Sequence, residues 1–371
     1  MTPAEPTKAQ RLARLRTAHG VDWFPSWGVT PVDYFTAAMP REIAARELRF
    51  VAGLGLDHVR IWLSAWGYEQ GPAAYLDNLR FILDAAQHSG LGVVVELFDS
   101  CGIEPSRGPE TMVRIEDVPT LGAGTPQLAV VNAMGGDRGR DIFDKPALAE
   151  VPWRGDAVVG IWEGFVPNPG YDWLSPEHWA RWDAYAVDVV AAIASHPALW
   201  LLEVMNEPFI TQLGVDVDRQ PIIDFYRHVT QLVAALAPEV PLAVGAAQSF
   251  IADHDANLPD LDVVSFHSLS GPDAMREAIA TARRIARGRP LYLSEWGYFP
   301  GGPDDEQQAE IEALLPILQE ARIGWAITHL IAGYGPFAST ALLYPSGVMR
   351  PGTAWLRATL AKQAADQGAA L

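Results

Sequence analysis

Short apolar, β-branched runs alternate with longer amphipathic stretches along most of the 371 residues. That alternation is what parallel strands covered by helices require. The runs at 21–27 (VDWFPSW), 57–63 (DHVRIWL), 91–98 (LGVVVELF) and 199–206 (LWLLEVMN) read as strands. So do 241–245 (PLAVG), 261–267 (LDVVSFH), 290–295 (PLYLSE) and 323–330 (IGWAITHL). The first is the weakest of them. In 75–89, Leu76, Leu79, Ile82, Leu83 and Ala86 fall on one helical face, and Gly90 stops it. Ser175 is a natural N-cap and Pro176 a natural first-turn residue for a helix over 176–195. Helices also fit 40–53, 221–237, 272–287, 306–321 (interrupted by Pro316) and 352–365, whereas 246–259 has only a poor helical pattern.

Eight strands alternating with about eight helices predict a (β/α)8 barrel. A doubly wound sheet is the competitor. It usually carries a glycine-rich first turn, and neither GxGxxG nor GxxxxGK[ST] occurs. The chain is therefore expected to be a single barrel over 1–371, with a loop insertion at about 99–175 after the third strand. That stretch is rich in Gly and Pro, contains Trp153, Trp162 and Trp173, and has little periodicity. It would sit over the C-terminal mouth of the barrel, where sites lie.

Charge narrows the possible partners. A net charge of −18 argues against nucleic acid and against anionic membranes, and it suits neutral ligands such as sugars. The single cysteine, Cys101, excludes an internal disulfide. The first twenty residues lack the apolar core of a secretory signal, and no 18-residue apolar run appears. The simplest expectation is a cytoplasmic protein; nothing in the pattern sets an oligomeric state.

Two carboxylates end predicted strands: Glu207 in WLLEVMNEP and Glu295 in RPLYLSEWG. At the C-terminal end of a barrel strand a carboxylate points into the mouth. About three βα units separate them, so they come from nearly opposite strands. Paired carboxylates across a pocket are the minimum equipment for breaking a glycosidic bond. For one glutamate alone, a salt-bridged strand end is the plainer reading. Asn206 can hydrogen-bond a sugar hydroxyl or initiate the turn.

The NEP and SEWG motifs resemble clan A retaining glycoside hydrolases of the family 5 type, and the likeness runs from about Val21 to Trp355. It implies that Glu207 is the acid/base and Glu295 the nucleophile. It matches Arg60 in HVRIW to the clan's strand-two arginine and His267 in VVSFH to its strand-six histidine. The run ELFDSCG at 96–102 resembles a bacterial subgroup of cellulase- or mannanase-like enzymes. Two features depart from the pattern. Where the clan often has His-x-Tyr, this chain reads His267-Ser268-Leu269, so a donor to the nucleophile has to come from Tyr298 or Tyr334, or be absent. Where a Trp often floors the sugar site near the end of strand eight, Thr328 and His329 stand, with Trp325 earlier.

Arg60 would hold Glu295 ionised and lower its pKa, or be a core ion pair with Glu96 or Glu203. Glu203 should face inward lower in the barrel. His267 can bind sugar, orient a carboxylate or be an ordinary core histidine. Asp99 can bind substrate or cap the insertion. Among the aromatics near strand ends (Trp23, Trp27, Trp62, Trp66, Trp296, Tyr298), Trp296 and Trp27 are the expected sugar platforms. No cofactor or metal is expected, since HExxH is absent and one cysteine makes no cysteine zinc site. The rival readings are a metal-dependent sugar isomerase using Glu96, Glu203, His267 and Glu295, and a non-catalytic carbohydrate-binding barrel.

Overall fold

The computed structural model describes residues 5–27, 31–99, 168–170, 173–209, 218–298, 303–331, 340–344 and 347–369. Eight parallel strands close into a barrel in chain order. They are β1 (His19–Asp22), β2 (His58–Trp62), β3 (Gly92–Asp99), β4 (Leu199–Asn206), β5 (Leu242–Ala246), β6 (Val264–Ser268), β7 (Leu291–Trp296) and β8 (Gly324–Ile327). β8 pairs with β1 through His19–Trp325 and Val21–Ile327. Helices Arg41–Gly53, Pro72–His88, Trp179–Ile193, Gln220–Leu236, Pro272–Ala286, Asp304–Ala321 and Pro351–Ala369 follow the predicted ranges closely. The apolar stripes read from the sequence are their buried faces: Leu79, Ile82 and Leu83 on one helix, Phe225, Val229 and Val233 on another.

Several boundaries differ from the sequence reading, each for a local reason. β1 ends at Asp22 instead of reaching 27, because Pro25 has no N–H for a strand with neighbours on both sides. β8 leaves the ladder after Ile327. Its continuation instead bonds Thr328 N to Trp296 O at 2.7 Å and Leu330 N to Asp22 O at 2.9 Å. Ser175 flanks a short 3-10 turn and its side chain makes no cap bond. The 246–259 connection does contain a helix, Ile251–Asn257. Pro316 sits inside a helix that continues past it.

A helix the periodicity did not suggest, Lys8–Leu15, closes the lower end of the barrel. Thr7 and Gln10 form its capping box. Buried Arg11 reaches the carbonyls of Ala194 (2.9 Å) and His196 (3.2 Å). Leu15 and Ala18 pack with Val94, Trp200, Leu201, Tyr292 and Ala326 as the lower core.

The register breaks in β4 between Glu203 and Asn206, in β6 between Phe266 and His267, and in β7 between Leu293 and Trp296. Such irregularities re-aim side chains at strand ends. They let neighbours such as Ser294 and Glu295 both face the barrel interior, against strict alternation.

Residues 100–167, which include Cys101, Trp153 and Trp162, lie outside the described residues, as does Tyr334. The returning end of that stretch is tied to the barrel top: Asn168 pairs its backbone with Asp99 and donates its side-chain amide to Leu63 O at 2.9 Å. Among the described residues, no helix is long and apolar enough to cross a membrane.

Gly324 starts β8 where a Cβ would lie 1.9 Å from Leu15 O. Gly324→Ala therefore pushes the closing helix away and is expected to destabilise the fold by about 2 kcal/mol, read as a lower urea midpoint.

Candidate active site

Arg60 stands at the centre of the site. It is fully buried inside the barrel, and every guanidinium nitrogen is engaged. Nη1 donates to Glu295 Oε1 at 2.8 Å. Nη2 donates to Glu96 Oε2 and to Asn206 Oδ1, both at 2.7 Å. Nε donates to Glu203. Asp22 Oδ1 lies 3.7 Å from Nη1, and the Trp62 ring lies 4.3 Å from the guanidinium carbon. Both readings of Arg60 are thus realised together: it is a core ion pair with Glu96 and Glu203, and it touches Glu295. Glu203 faces inward below Glu207, as its spacing implied.

Above Arg60, His267 joins the two strand-end glutamates. Its Nδ1 lies 2.7 Å from Glu207 Oε1 and its Nε2 lies 3.5 Å from Glu295 Oε1. One oxygen of Glu207, one ring nitrogen of His267 and one oxygen of Glu295 all lie within 4.8 Å of one another. Glu207 takes a positive φ of 40° and Phe209 one of 79°, a sparsely populated conformation for residues with a Cβ. Glu207 N is held by Gly245 O at 2.8 Å. Gly245 has to be small: a Cβ there would meet His267 Nε2 at 3.1 Å and Arg60 Nη2 at 3.2 Å. Asp99 accepts from the Asn206 amide at 3.2 Å, so it orients that side chain as well as pairing with Asn168.

Three predicted ligand residues sit elsewhere. Trp296 follows Glu295 on the strand, faces outward and is fully buried edge-on against Trp325, with ring centroids 5.3 Å apart. Trp27 is buried, with its indole N–H on Tyr34 O at 2.9 Å and its ring edge-on to Trp23. Tyr298 donates its hydroxyl to Glu306. Period-2 alternation alone argues against Trp296, because its neighbour already points inward.

Sequence reasoning missed Asp22 and Ser265, and it named Thr328 and Trp62 without assigning either to the site. Thr328 donates to Asp22 Oδ2 at 2.6 Å, where the resemblance led us to look for a tryptophan. Trp62 lies two residues after Arg60 on β2, and that spacing was the available signal for a shared face.

Burial dominates the electrostatics. It raises Glu295, and Glu207 adds to the rise; the pull of His267 and Arg60 in the other direction is smaller. Arg60 does lower this pKa, as expected, but burial outweighs it and the net shift is upward. Burial also raises Asp22 and Glu96 well above the ordinary carboxylate range. His267 is pulled down by burial but pushed up further by Glu295 and Glu207, and ends above its ordinary value.

Three of the four ligands of the isomerase reading (Glu96, Glu203, Glu295) bond the Arg60 guanidinium, which fills the place a cation would take. Glu207, His267 and Glu295 are close enough to hold a metal ion, but the same positive charge 2.8 Å from Glu295 opposes it.

No protein-family model and no curated protein matches the sequence. Solved structures do match in fold. A family 5 glycoside hydrolase (GH5_18) of Streptomyces cattleya in complex with Manβ1-4GlcNAc is 16% identical, with a TM-score of 0.62, over 93% of this chain and 80% of that one. An exo-β-1,4-mannosidase from an Opitutaceae bacterium is also 16% identical, with a TM-score of 0.62, over 94% of this chain and 60% of that one. An endo-1,4-β-D-mannanase from Thermotoga petrophila is 12% identical, with a TM-score of 0.52, over 91% of this chain and 99% of that one. The fold is thus the family 5-like barrel that the two glutamate motifs resemble.

A histidine raised by native partners stabilises the fold fully below its unfolded pKa, and the contribution is lost as pH rises through the folded value. Unfolding midpoints taken from about pH 5 to pH 8 are expected to fall over that window. In His267→Gln this component of the slope disappears.

Proposed function

We propose that the protein is a retaining O-glycoside hydrolase that cleaves β-linked oligosaccharides or glycosides by double displacement. Glu295 is the nucleophile and Glu207 the acid/base. The observation that carries the reading is the approach of the two carboxylates, with oxygens within 4.8 Å of each other across His267. Retaining enzymes hold their carboxyl groups about 5–5.5 Å apart, whereas inverting ones leave about 6.5–9.5 Å for a water.

In the first step ionised Glu295 attacks the anomeric carbon and protonated Glu207 gives its proton to the departing oxygen. Water, deprotonated by Glu207, then attacks the glycosyl-enzyme, with net retention. Arg60 anchors one Glu295 oxygen, and His267 lies between the two acids in a position to fix their relative orientation. Asn206, held by Arg60 and Asp99, is placed beside the reacting centre to bond a sugar hydroxyl. Among the fold neighbours are a complex with Manβ1-4GlcNAc, an exo-β-1,4-mannosidase and an endo-1,4-β-D-mannanase, which makes β-mannosides the first substrates to try.

A panel of 4-nitrophenyl glycosides in both anomers, pyranose and furanose, tests the assignment. Turnover of a β-glycoside with retained configuration by NMR is the expected result; sugar binding without turnover on the whole panel would favour the non-catalytic barrel. Glu295→Gln is expected to lose at least about 10⁴-fold in kcat, and near-normal activity would refute its role. Glu207→Ala should form the glycosyl-enzyme normally from aryl glycosides with good leaving groups and fail on poor ones. Because burial raises Glu295, the acidic limb of kcat/KM should lie above the ordinary glutamate value, with activity rising as pH climbs through it.

A further inference from the structure

Six strands send ionisable groups to the floor beneath Glu295. Asp22 comes from β1, Arg60 from β2, Glu96 and Asp99 from β3, Glu203 from β4, His267 from β6 and Glu295 from β7, with His58 and Tyr292 bonded to each other below them. Asp22, Arg60, Glu96 and Glu203 are all fully buried. One guanidinium faces four carboxylates there. Unpaired charge in such a place is strongly unfavourable, so some of these acids must keep their protons.

The hydrogen bonds indicate which. Glu203 receives Arg60 Nε on one oxygen and the Ser265 hydroxyl on the other, so it is satisfied as an anion. Glu96 sits directly across the β3–β4 register from Glu203. Its Oε2 receives Arg60 at 2.7 Å, while its buried Oε1 meets no donor among the described residues. An ionised Glu96 would hold a bare acceptor oxygen beside another anion. A protonated Glu96 instead donates to Glu203.

We propose that Glu96 and Glu203 form a carboxyl pair sharing one proton, Glu96 as donor and Glu203 as anion, and that Glu203 is a positioning residue that aims Arg60 at Glu295. The opposite directions in which the two acids move, Glu96 up and Glu203 down, agree with this division. Glu203 takes Nε, and Glu96 with Asn206 takes Nη2, which leaves Nη1 directed at Glu295. The catalytic consequence rests on the hydrolase reading; the proton itself does not.

Infrared difference spectra of the full chain at neutral pH, wild type minus Glu96→Gln, read the proton. Loss of a deuterium-sensitive protonated-carboxyl C=O band is expected. Loss of carboxylate bands alone overturns the pair. If that variant does not fold, carbon NMR of Glu207→Gln labelled at its glutamate carboxyls decides: a glutamate that remains protonated at neutral pH when the proposed acid/base is gone supports the pair, and none overturns it. For positioning, Glu203→Gln should lower kcat about tenfold or more with KM little changed. In Glu96→Gln/Glu203→Gln the anchor on Arg60 Nε is gone, so Arg60 holds Glu295 less well and the acidic limb moves to higher pH. A limb that stays, or that moves to lower pH as loss of a negative charge alone would make it, overturns positioning through Arg60. A wild type with no glycosidase turnover sinks the hydrolase reading instead, and the infrared result then stands on its own.

Discussion

The burial of Arg60 inside the barrel is the interaction on which the rest of the site depends. A guanidinium with no solvent exposure has to find its partners within the protein, and all of its nitrogens do. Three of those partners are acids from different strands, and the fourth is Asn206, beside Glu207. The barrel's closure and the placement of its upper residues are therefore one problem: each strand that contributes a ligand to Arg60 is fixed in height by it. Breaking one arm would leave an uncompensated buried charge, which is why such clusters tolerate little change.

The same arrangement sets the electrostatics. With more acids than bases around it, burial outweighs the attraction of Arg60 for Glu295. His267, whose pKa Glu295 and Glu207 raise against burial, stands where the two strand-end glutamates converge. Beneath this polar cluster lie His58 and Tyr292, bonded to each other, and an apolar layer to which Leu15 at the end of the first helix and Ala18 after it belong.

Much of the barrel was legible because its signals are local. β-branched runs and helical stripes are written in neighbouring residues, and the strand-end glutamates carry short motifs around them. Trp296 and Tyr298 were misjudged because a residue's nearness in sequence to Glu295 says nothing about which way it faces. One turns outward to Trp325, and the other bonds Glu306 on the helix that follows. The bond between Thr328 and Asp22 was not legible because it joins β1 to the residue after β8, at opposite ends of the chain.

The chain alone determined the order of the strands and main helices, the buried stripes of several of those helices, and the pair of acids at the ends of β4 and β7. Those follow from periodicity and from side-chain chemistry. Only the tertiary structure decided that one arginine would be divided among Glu96, Glu203, Asn206 and Glu295, and that burial would outweigh the lowering of Glu295 by His267 and Arg60. Those outcomes depend on distances between strands and on exclusion of water, and both arise only when the barrel closes.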